Sequence, residues 1–133
     1  MGDAYVLFIC TDNSALSRMA EALFNSMAPC EIHSISGGSY PSESVDEKAQ
    51  KVMEEHHLTI EGTPTRATQE MILGALRIIA MGRVFVCPNT GMERWDIPFR
   101  RGAPIEHYRE VRDELAERVT ALIKDVCLDE MPD

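Results

Sequence analysis

The chain has 133 residues, 44% of them hydrophobic, enough for one domain spanning 1–133 with a substantial core and too few for two ordinary ones. A formal net charge of −9 argues against nucleic acid and acidic membrane surfaces as partners, since both select basic patches. No apolar run approaches a bilayer-spanning length, and the N-terminus lacks the basic flank and small-residue cleavage site of a secretion signal, so a cytoplasmic location is expected.

Apolar and amphipathic segments alternate without repeats or low-complexity tracts, which predicts a parallel sheet covered by helices. The first strand is expected over Tyr5 to Ile9. It feeds a helix over about Ser17 to Met27, where Met19, Leu23 and Met27 recur at four-residue spacing. A second strand is expected from Glu31 to Ser36, broken by Gly37-Gly38 and Pro41. Ser44 and Glu47 have the spacing of a capping box that starts a helix through Val52 and Met53. Thr68 to Leu73 reads as a short helix, Leu76 to Met81 as a third buried strand, and Phe85 to Cys87 as irregular or a short strand. The last element runs from about Ile105 to Val126. Val111, Leu115, Val119, Leu122, Ile123 and Val126 stripe one face, with Arg112, Glu114, Glu117 and Arg118 largely opposite.

The four cysteines, Cys10, Cys30, Cys87 and Cys127, lack the paired spacing of a zinc site, and His33, His56, His57 and His107 have no ligand spacing with them. Reduced thiols, surface histidines and no metal are therefore expected. Cys10 stands apart because the apolar strand Val6-Leu7-Phe8-Ile9 runs into it and then into a turn and a helix. Helix N-termini offer unpaired N–H groups and partial positive charge, which hold an oxyanion and lower the pKa of a nearby thiol. Cys10-Thr11-Asp12-Asn13-Ser14-Ala15-Leu16-Ser17, followed by Met19-Ala20-Glu21, resembles the catalytic loop of the low-molecular-weight protein tyrosine phosphatase and arsenate reductase superfamily.

The resemblance covers nearly the whole chain and favours the thioredoxin-coupled arsenate reductase branch. Met81-Gly82-Arg83 through Cys87-Pro88 is similar to that branch's Met-Gly-Cys-x-x-x-Cys-Pro redox segment, and Trp95-Asp96-Ile97-Pro98-Phe99-Arg100 to its Trp-Asp-x-Pro-Asp-Pro. It implies an α/β three-layer sandwich with a four-stranded parallel sheet and helices on both faces. It also implies a phosphate- or arsenate-like oxyanion as ligand, a phosphoprotein or thioredoxin-like protein as partner, and no cofactor.

Three departures fall at functional positions of that pattern. Leu16 stands where the family has an arginine that grips the oxyanion bidentately, a loss worth several kcal/mol at the transition state by analogy with other oxyanion donors. Phe99 stands where the family has the general acid, whose absence typically costs about 10²- to 10⁴-fold in rate, and Asp96 substitutes only if its loop shifts. Arg83 stands where the middle redox thiol belongs, which breaks the three-cysteine relay and leaves Cys10 and Cys87 as the pair. Asp12 is also out of place, because a carboxylate in an anion loop repels the ligand; its alternative roles are capping the helix or hydrogen-bonding Ser14. Asn13 and Ser14 match positions that brace the loop.

Arg83 and Arg18 are candidates for replacing the missing cation. Arg83 follows the third strand at its C-terminal end, where sites in open sheets gather, whereas Arg18 is expected to face solvent. Arg100-Arg101 reads as solvated charge, with a ligand-facing position on its loop as the alternative, Cys30 and Cys127 as buried or incidental thiols, and Trp95 as either a cleft wall or ordinary packing. The functional expectation is a catalytically impaired superfamily member acting as an oxyanion-binding or regulatory module. Its rivals are a phosphatase forming a cysteinyl-phosphate on Cys10, an arsenate reductase using Cys10 and Cys87, and a thiol-redox sensor.

Overall fold

A computed structural model describes residues 4–29, 31–82 and 91–128. In chain order the elements are β1 (Tyr5–Cys10), α1 (Leu16–Met27), β2 (His33–Gly38), α2 (Glu47–Glu54), α3 (Gln69–Gly74), β3 (Arg77–Met81), β4 (Met92–Trp95) and α4 (Ile105–Leu128). The strands form one sheet in the order β2-β1-β3-β4, and each neighbouring pair is parallel. β1 is apolar along its length because both of its faces are covered, the usual condition of a central parallel strand. Val6, Phe8 and Cys10 meet α1, α2 and α4 on one face, and Leu7 and Ile9 meet Ile72 of α3 on the other. The chain is therefore an α/β sandwich with helices on both faces of a four-stranded parallel sheet. Among the described residues no helix is long and apolar enough to cross a membrane.

Several elements differ from expectation for identifiable reasons. Gly37 and Gly38 end β2, paired with Ile9 and Cys10 of β1, rather than breaking the chain after the strand. A Cβ on Gly38 would lie 2.9 Å from the Thr11 carbonyl oxygen and 3.0 Å from the Asn13 nitrogen, so the glycine lets the loop after β1 lie flat on β2. The fourth strand is Met92–Trp95, whereas Phe85 to Cys87 lies outside the described residues. β4 is a half-exposed edge strand whose Glu93 pairs with Arg77 of β3, so it carries no apolar run.

The N-cap of α2 is Asp46, not Ser44. Its carboxylate accepts from Lys48 N at 2.9 Å and Ala49 N at 3.3 Å, and a charged acceptor at a positive helix end outcompetes a neutral hydroxyl. On α4, Arg112 is buried rather than opposite the core. Its guanidinium donates to the Val52 carbonyl at 2.9 Å and to Glu55 at 2.7 Å, because α2 covers that side of the helix. Cys127, also buried on α4, is disulfide-bonded, which corrects the expectation of an incidental reduced thiol. His33, His56 and His57 are exposed and His107 is half-buried.

Candidate active site

β1 delivers Cys10 to the C-terminal edge of the sheet, and the chain turns through residues 11–15 into α1. Cys10 is 4% exposed. Its Sγ lies 2.9 Å from Ser17 Oγ and accepts from the Asn13 backbone N–H at 3.2 Å. Asn13 is the hub of the loop. It takes a left-handed backbone, φ 54°, which asparagine tolerates better than most residues. Its side-chain amide donates to Ser17 Oγ at 2.7 Å and to Ser36 Oγ at 3.1 Å, while its carbonyl oxygen accepts from Thr65 N at 2.9 Å. The turn is thereby tied to α1, β2 and the segment before α3. Ser14 is fully buried; its N–H donates to Asp12 Oδ1 at 3.1 Å, and its carbonyl accepts from Asp46 N at 2.9 Å. Ala15, the residue before α1, makes no side-chain cap, and the Ser17 backbone N–H in the first turn is directed to Cys10 Sγ.

A cavity of about 230 Å³ opens beside the thiol. Cys10, Thr11, Asp12 and Arg101 form its polar side, and Leu16, Met81, Ile97 and Phe99 its apolar side. Phe99 is held in place by stacking on His107, with ring centroids 5.8 Å apart, and by an edge-on contact with Tyr108 at 5.2 Å. Burial pushes the Cys10 thiol above its ordinary pKa. Hydrogen bonds from Ser17 and Asn13 oppose that shift, and the Asp12 carboxylate adds to it.

Arg18 does not face solvent. It is 7% exposed, donates to the carbonyls of Glu61 and Thr63, and sits 3.4 Å from Asn13 Oδ1. The segment after α2 folds over the first turn of α1 and supplies those carbonyls. Its guanidinium therefore braces the loop from behind and takes no part in the cavity wall. Asp96 is exposed and also outside that wall. Trp95 is half-buried, its ring 5.8 Å from that of Phe8, which is a packing contact. Arg83 and Cys87 lie outside the described residues, as does Cys30. Among the described residues, no three His, Cys, Asp or Glu side chains converge as a metal site would require.

Arg101 lines the cavity, the less favoured of the two positions the sequence offered for it. Far from being plain solvated charge, its Nη1 donates to Asp12 Oδ2 at 2.6 Å, and its Nε lies 3.9 Å from Asp46 Oδ2. The two partners are 89 residues apart, beyond any local pattern. The available signal was Asp12 itself, since a carboxylate at a partly buried turn requires a counter-charge.

A cysteine ends the central parallel strand, and an asparagine-braced turn leads from it into a helix, the strand-turn-helix order expected from the sequence. Residues 5–84 match the low molecular weight phosphotyrosine protein phosphatase family, and the chain belongs to that family. A protein-arginine-phosphatase of Bacillus subtilis (strain 168) is 28% identical over 144 residues, covering 91% of this chain and 95% of the relative. The arsenate reductase of Archaeoglobus fulgidus DSM 4304 superposes with a TM-score of 0.78 at 32% identity, over 89% of this chain and 98% of that one. A low molecular weight protein tyrosine phosphatase of Bacillus subtilis superposes with a TM-score of 0.83 at 25% identity, over 96% and 99% of the two chains.

Proposed function

We infer that this chain is a catalytically impaired member of the family that binds a phosphate-like group without turning it over, and acts as a binding or regulatory module. The observation that carries the reading is the cavity wall. Leu16 and Phe99, the replacements for the oxyanion-gripping arginine and the general acid, both line the space beside Cys10, so neither function is supplied from its usual place. The thiol is also poorly placed to act as a nucleophile. A phosphatase needs a thiolate, whereas here burial and Asp12 both favour the neutral form. Loss of transition-state stabilisation and of leaving-group protonation act on the same step, so their costs compound.

The test is hydrolysis of an aryl phosphate by the native protein and by Cys10→Ser. The two proteins should give the same background rate. Turnover by the native protein that vanishes in Cys10→Ser would show a working nucleophile and end this reading.

A further inference from the structure

We propose that Arg101 is the anion-holding cation of the Cys10 cavity, and that Asp12 makes the cavity select a phosphate monoester carrying a positive charge beside it. The proposal rests on the reading of this cavity as a binding site without turnover.

Asp12 and Arg101 are the charged groups of the cavity wall, and Asp46 sits beside Arg101. Asp46 is already committed, capping α2 and accepting the Tyr108 hydroxyl at 2.6 Å. Arg101 and Asp12 remain, paired at 2.6 Å with side chains 52% and 29% exposed. Arg101 approaches from the loop after β4, across the cavity from Leu16, and is the one cation in the wall among the described residues. Arg18, the nearer arginine in sequence, is held behind the loop by Glu61 and Thr63.

A bare phosphate entering this space meets a contradiction. To reach Arg101 it must draw the guanidinium from Asp12, and the freed carboxylate then faces a second anion. A ligand that brings its own ammonium group resolves both charges at once. Its phosphoryl oxygens take Arg101, and its ammonium takes Asp12 Oδ2. Such an exchange replaces one ion pair with two, so that the phosphate and the carboxylate each face a cation. A cavity of about 230 Å³ suits a small ester of this kind. The uncharged thiol adds no repulsion. The same chemistry occurs in a small aminoalkyl phosphate and in a phosphorylated side chain next to a lysine.

Isothermal titration calorimetry with ethyl phosphate and 2-aminoethyl phosphate separates the terms. The native protein should bind the amino ester at least about threefold more tightly, the scale of a partly exposed charge pair. Asp12→Asn, which keeps an acceptor for Ser14 N, should bind ethyl phosphate more tightly than the native protein does and lose the preference. Arg101→Met should lose both ligands while its circular dichroism stays native. Matched phosphoserine-lysine and phosphoserine-alanine dipeptides form the second arm. A larger preference there identifies a protein side chain as the source, and a smaller one identifies a free metabolite. Equal affinity of the native protein for the two esters, unchanged ethyl phosphate binding in Asp12→Asn, or native-like binding by Arg101→Met would each overturn the proposal. None of these results bears on aryl phosphate turnover, so failure here is distinct from failure of the non-catalytic reading.

Discussion

Cys10 shows how a single group changes character when its surroundings change by a few side chains. The hydrogen bonds from Ser17 and Asn13 that would steady a thiolate are present, but they do not offset burial without a cation against the sulfur. The alkylation rate of Cys10 by iodoacetamide, followed by peptide mass across pH, should therefore still be rising above the ordinary thiol range near about 8.5. A plateau near neutral pH would mean an activated thiolate. Two variants move the profile in opposite directions. Leu16→Arg places a guanidinium in the cavity wall and should lower the Cys10 pKa. Ser17→Ala removes the largest stabilising contact to the thiolate and should raise it further.

At the level of elements, helix caps and turns decide where the loop sits. Asp46 links three of them, since it caps α2, accepts the Tyr108 hydroxyl of α4 and donates its N–H to the Ser14 carbonyl of the catalytic-type loop. Burial and the Asp46 contact both raise the Tyr108 pKa, so its hydroxyl stays a donor through the neutral range. Asp46→Ala removes the cap and orphans that hydroxyl, and urea unfolding should show a loss of about 1–3 kcal/mol. Ser44→Ala should change stability by less than about 0.5 kcal/mol. The reverse ranking would restore the Ser44 cap that the sequence spacing suggested. The fold was legible where burial is complete: the apolar β1, Met19 and Leu23 on α1 and the stripe on α4 each follow from covered faces, whereas Met27, the third residue of the α1 spacing, is 38% exposed. β4 and the Asp46 cap were not legible, because an edge strand can be polar and a cap is chosen by competition between neighbouring acceptors. The Cys10 loop could be read from its local strand-turn-helix order. The direction of Arg18 and the reach of Arg101 could not, since both depend on segments that arrive from 43 to 89 residues away.

Across the whole molecule, the helical layer over the Cys10 face is joined by charge as well as by apolar contact. Glu55, just after α2, accepts from Arg109 at 2.8 Å and Arg112 at 2.7 Å on α4. Those two guanidinium groups hold its carboxyl down to about 2, from an ordinary value of 4.5. A carboxyl whose pKa is lower in the folded state binds protons less readily there than in the unfolded chain. Its contribution is therefore fully present above about 4.5 and is lost as the pH falls toward about 2. Glu55→Gln keeps the shape and removes the charge, so it should lower the unfolding midpoint at pH 7. In the same variant the fall in stability between pH 4.5 and pH 2 should be shallower than in the native chain, because one titrating group has been removed. Thermal unfolding followed by circular dichroism at pH 7, 4.5, 3 and 2 measures both effects. Parallel acid limbs for the two proteins would mean that the Arg109 and Arg112 contacts do not couple the protonation of Glu55 to folding. Arg112 has a second anchor in the Val52 carbonyl, so the helices stay joined when Glu55 is neutralised, and the variant should unfold in a single cooperative transition at every pH where it is folded.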